Sequence, residues 1–70
     1  MTEIQKERLF EHKCSANIGV GELLTKHRPD EAIVLEALEV ESAIDDELTK
    51  FDLWNEYDEW LYAKYGLSRF

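Results

Sequence analysis

The sequence predicts an all-α fold, a small helical domain of two to three helices arranged as a hairpin-like unit that dimerises. Three observations carry that expectation. Asp30 to Tyr65 contains neither glycine nor proline, the two residues that most often interrupt a helix. The apolar residues of that stretch recur at helical spacing, and no segment alternates as a strand does. The chain has 70 residues, 44% of them hydrophobic and 34% charged, which suits one folded domain spanning 1–70 with one modest core.

The N-terminal stretch from Glu3 to Cys14 has the residues of a helix, but Ile4, Leu9, Phe10 and Cys14 make no single stripe. Ser15-Ala16-Asn17-Ile18-Gly19-Val20-Gly21 reads as a break, followed by a short helical piece from Glu22 to His27. Gly19-Val20-Gly21 is no nucleotide loop, because the Lys-Ser/Thr that such a loop needs is missing. Pro29 suits the first turn of the next helix, and Asp30 and Glu31 place negative charge at the positive end of its dipole.

On a wheel of about 100° per residue, Val40, Ile33, Ile44, Ala37, Leu48 and Val34 share one face of a helix over 30–51. Leu38 extends one edge, and Glu36, Glu39 and Asp46 fall on the far side. Glu41 breaks the pattern, projecting between Leu48 and Val34. Its methylenes are expected to pack while its carboxylate reaches water, since a buried carboxylate needs a partner. Thr49-Lys50-Phe51-Asp52 carries a start signal that places a kink or a new helix there, with Asp52 as an alternative cap. From Leu53 to Tyr65, the residues Trp60, Leu53, Tyr57, Leu61, Trp54 and Tyr65 share an arc. Gly66 is a helix stop, Leu67 can fold back on Tyr62 or nearby, and Ser68-Arg69-Phe70 reads as a short tail.

Charge divides the chain into two parts. Residues 1–28, a mixed-charge helix and loop, hold five basic and four acidic side chains, whereas 29–70 hold three basic and twelve acidic ones. The net charge of −8 argues against direct nucleic-acid binding, which needs cations to displace counterions, and against an anionic membrane surface. A larger protein with a basic surface is the expected partner. Cys14 is the one cysteine, so no internal disulfide forms, and a reducing, cytoplasmic location is expected. It reads as a small half-buried core residue. His12 and His27 show no metal-ligand spacing and read as surface residues.

No catalytic, cofactor-binding or metal-ligating constellation emerges, and none is expected. Two pairs, Glu36 with Glu39 and Glu56 with Glu59, sit at i and i+3, where both carboxylates point the same way. They resemble the paired acidic signature of all-α nucleotide pyrophosphohydrolases of the MazG type. That family typically has aspartate where Glu59 stands, and it uses a longer four-helix unit. The resemblance implies metal-dependent nucleotide hydrolysis as an alternative function, and an accessory or self-assembling subunit is a third. In general character (tiny, acidic, helical) the chain looks like the small inhibitors of phages and mobile elements, anti-CRISPR and DNA-mimic proteins among them. The function expected is therefore a non-enzymatic binding module that inhibits or regulates a basic partner. Glu36, Glu39, Asp46, Glu56 and Glu59 would present carboxylates to it, although the same charge also keeps a small protein soluble. Trp54, Tyr57 and Trp60 would serve the core, or the core and an interface together.

Overall fold

The computed structural model describes residues 1–67, so the tail at 68–70 lies outside the described residues. The chain forms three helices, α1 (Glu3–Lys26), α2 (Ala32–Lys50) and α3 (Trp54–Tyr65), and has no strand among the described residues. It is a small all-α domain.

α1 begins at a capping box that satisfies two of the donors every helix start leaves open. Thr2 Oγ1 accepts from the Gln5 amide at 3.1 Å, and Gln5 Oε1 accepts from the Thr2 amide at 2.8 Å. The helix then runs unbroken for 24 residues. The break expected over 15–21 is absent. Two glycines lower helix propensity there by about 1 kcal/mol each relative to alanine. Packing of the flanking Lys13, Ala16 and Val20 against α2 outweighs that cost.

The packing surface explains why no apolar stripe was visible. Leu9, Lys13, Ala16, Val20 and Leu23 of α1 are buried or half-buried at alternating spacings of four and three. Val34, Ala37, Glu41, Ile44 and Leu48 repeat the pattern on α2, the spacing by which two helices mesh along a seam. A lysine, two alanines and a glutamate occupy seam positions, so hydrophobicity alone does not trace it. The buried face of α2 is accordingly turned toward Glu41, leaving Ile33, Leu38 and Val40 exposed where the wheel had placed them inward or at the edge.

The first connection also differs from expectation. Pro29 and Asp30 lie in a turn rather than in the helix, with the Glu31 amide donating to the Arg28 carbonyl at 3.1 Å. Proline at the second position of such a turn needs no adjustment of its φ. Glu31 accepts from the Arg28 amide and approaches His27 Nδ1 at 3.4 Å, so His27 is half-buried rather than at the surface. α2 starts three residues after Pro29, at Ala32.

The break near Asp52 is present, but its chemistry is that of a helix end rather than of a start. Asp52 takes a left-handed φ of 53°. The Leu53 amide donates to Leu48 O at 2.8 Å and the Asp52 amide to Thr49 O at 3.2 Å. Those two bonds, with buried Leu48 and Leu53 in one cluster, make a Schellman termination. At the far end Gly66, φ 65°, closes α3 with its amide on Tyr62 O at 2.8 Å, as its sequence position predicts. Leu67 lies beside Cys14 and Ile18 of α1.

α3 lays Leu53, Tyr57 and Leu61 onto Leu9, Phe10 and Leu48, the main core, with Cys14, Ile44, Trp54 and Trp60 packed around it. The radius of gyration is 12.8 Å, against about 11 Å for a compact chain of this length. The excess reflects a hairpin that outruns the shorter third helix.

Candidate functional site

Two charged assemblies stand out: one buried at the seam, one laid on the surface. At the seam, Lys13 Nζ lies 2.7 Å from Asp45 Oδ1 and 3.3 Å from Glu41 Oε2, with the Trp54 ring 5.6 Å away. Only 11% of the Lys13 side chain and 15% of that of Glu41 remain exposed. The Glu41 carboxylate therefore does not reach out to water as its sequence position implied. It finds a cation 28 positions earlier in the chain. Lys13 donates a hydrogen bond to Glu41, whereas the shorter contact to Asp45 is an ion pair without hydrogen-bond geometry. Lys13 has its charge matched on both sides, and so holds nothing in reserve for a ligand.

Lysines on the outside tie α3 to α1. Lys6 Nζ reaches Glu56 and Glu3, each at 3.0 Å, and Lys64 Nζ reaches Glu11 at 3.0 Å and Glu7 at 3.7 Å. Hydrogen bonding to Glu56 and then to Glu3 raises the Lys6 pKa above its ordinary 10.5, and the bond to Glu11 does the same for Lys64. Glu56 is thus engaged within the molecule, although its exposed edge stays open to solvent.

Glu36, Glu39, Asp46 and Glu59 are exposed, and no ion pair holds them among the described residues. Glu39 and Asp46 lie seven residues apart, two turns and about 10.5 Å along the outward pole of α2. Glu36 stands one turn from Glu39, and exposed Leu35 precedes the three acids on the same helix. The result is a ridge of carboxylates with an apolar side chain at its N-terminal end. The two Glu-x-x-Glu pairs are not brought together into a ligand set. Among the described residues no three His, Cys, Asp or Glu side chains are close enough to hold a metal ion.

The aromatic residues divide. Tyr57 is 2% exposed and stacks against Trp60 at 6.0 Å and tilts against Phe10 at 5.6 Å, so it belongs to the interior. Trp54 and Trp60 are half-buried. The Trp54 Nε1–H donates to Thr49 Oγ1 at 2.9 Å, and Lys64 Nζ lies 5.0 Å from the Trp60 ring. Tyr62 and Tyr65 are the exposed aromatics of α3. Cys14 is half-buried against the core, as its surroundings in the sequence implied.

Sequence reasoning overlooked how much apolar surface stays outside. Among the described residues twelve large hydrophobic side chains are exposed, from Met1 to Leu67, while eight are buried. No helix among the described residues is long and apolar enough to cross a membrane. No protein-family model, no curated protein and no solved structure matches the chain.

Proposed function

We propose that the protein is a non-enzymatic binding module, working as a pair of copies in the cytoplasm, that docks on a larger protein through the acidic ridge of α2 and so inhibits or regulates it. The observation that carries this reading is the partition of its carboxylates. Those at Glu3, Glu7, Glu11, Glu41, Asp45 and Glu56 meet lysines within the molecule, and Glu31 meets His27. Glu36, Glu39 and Asp46 meet none among the described residues, and they crowd onto one helix face. A surface charge left uncompensated in this way attracts a basic surface and repels phosphate. The exposed Leu35 at the N-terminal end of the ridge supplies the apolar contact that long-range attraction lacks.

Such docking has a measurable signature. The protein and a Glu36→Lys/Glu39→Lys/Asp46→Lys variant are immobilised and exposed to a host extract at low and high salt. The expected result is one basic protein held by the parent at low salt, lost from the variant, and lost at 1 M salt, where the screening length falls from about 10 Å at 0.1 M to about 3 Å. The parent's association rate with that purified protein should fall steeply across the same range. A bound protein indifferent to both salt and charge reversal would remove the ridge from the interface and leave the acids as a solubilising coat.

A further inference from the structure

The seam between α1 and α2 has two flanks, and α3 covers one. Trp54 reaches Thr49 and Lys13 on that flank, beside Asp45. On the opposite flank α2 raises Ile33, Val40 and Phe51, which are 46%, 59% and 45% exposed. The matching flank of α1 carries Arg8, Ser15 and Gly19, displaced from the seam in the corresponding sense. Arg8 and Glu47 line one shallow cavity there, and neither has an ion-pair partner among the described residues.

We infer that this open flank binds a second copy of the chain, hairpin on hairpin, about a two-fold axis running along the hairpin. The inference rests on the reading above that the module works as a pair. The axis follows from what stands level with what. Lys13 lies level with Glu41 and Asp45, which sets Arg8 near the height of Glu47 and Ser15–Gly19 near that of Val40. Rotation about an axis along the hairpin preserves those heights and lays α1 of each copy over α2 of the other. Arg8 then faces the other copy's Glu47 twice, once on each side of the axis. Val40 enters the low stretch of α1 between Ser15 and Gly19. The stretch is open to an entering side chain, since a Cβ at Gly19 would meet nothing within 4 Å in the single chain. The fold itself does not call for glycine there. A flank whose basic edge and acidic edge complement each other under one rotation is self-complementary, which a symmetric dimer requires. A second copy therefore fits it better than a partner of one charge sign.

Sedimentation of the full chain between 1 and about 100 µM tests the arrangement, with circular dichroism confirming that each variant remains helical. The parent should sediment at twice 8.2 kDa. Val40→Glu should weaken dimerisation at least about tenfold, and Arg8→Glu and Glu47→Arg about tenfold each, because close interfacial charge pairs couple by about 1.5 kcal/mol or more. The combined Arg8→Glu/Glu47→Arg protein should recover most of the parental affinity. Failure to recover would overturn the α1-over-α2 arrangement. A parental dimer untouched by Val40→Glu would overturn this flank while leaving pairing intact. An 8.2 kDa species throughout the range would overturn the pairing and the flank together.

Discussion

The two ends of the hairpin are built differently. At the end near Leu9 and Leu48, a third helix closes over the seam, and six buried residues form one continuous cluster. At the end near the Pro29 turn there are only two layers, and Val20 and Val34 are buried outside that cluster while Leu24, Leu35 and Leu38 stay exposed. A third layer is what turns a pair of amphipathic helices into a core, since two helices alone leave their outer flanks wet. The molecule should therefore have one firm end and one that opens more readily, with amide protection falling from α3 toward the turn.

The sharpest way to break this contrast is at the junction of the two ends. Lys13→Met leaves Glu41 and Asp45 without their cation, and losing one member of a buried ion pair typically costs about 3–5 kcal/mol. Chemical denaturation should show that loss, and Lys13→Met/Glu41→Leu/Asp45→Ala should return most of it, because no carboxylate is then left without its cation. If the single variant is as stable as the parent, the seam is wetter than its geometry indicates.

A smaller effect belongs to the open end. Gly21 is helical, and a Cβ placed on it meets nothing within 4 Å. Gly21→Ala should then stabilise by about 1 kcal/mol. Hydrogen exchange should locate the gain in the far half of α1, leaving the amides of α3 unchanged. A uniform gain would show the two ends to be one cooperative unit.

Smallest is the surface tie at the firm end. Lys6 has its pKa raised chiefly by its hydrogen bond to Glu56, so the folded state holds that proton more tightly than the unfolded chain. The stabilisation is complete below 10.5, the ordinary value, and is lost as pH rises through the raised one. Melting temperatures of the parent and of Lys6→Met, compared on both sides of pH 10.5, should converge on the alkaline side. A difference that stays constant across that range would assign the effect to packing of the lysine stem instead.

Much of this architecture was legible in advance. α3 could be read because its inward residues are large and apolar, and Gly66 because a left-handed helix end favours the residue without a Cβ. α1 could not, because its continuity comes from contacts with α2 and its seam contains Lys13 and Ala16, which carry no hydrophobic signal. Glu41 lay between those cases. Its place on an apolar face set it apart, but the expectation sent its carboxylate to water, because its partner lies on a different helix and local pattern is silent about pairing across the fold. The acids of α2 were legible as an outward face. For Tyr57 the core was one of two expectations, and a wheel, which gives direction and no depth, could not choose between them.

Lys13 has one more consequence, for alignment rather than for stability. Helices meshing at a repeating spacing can slide by a whole repeat and still find apolar neighbours, so apolar contact alone does not choose the alignment. Sliding α2 seven residues in one direction would bring Val34 to the place of Glu41, and in the other direction Leu48. The first slip also brings Leu38 to the place of Asp45 and encloses an ammonium group against aliphatic carbon, while the second loses the Glu41 pairing and sets Asp52, beyond the end of α2, where Asp45 stands. The seam thus reads like a ruler with a single graduation, and the contacts of Lys13 with Glu41 and Asp45 specify which turn of α1 meets which turn of α2.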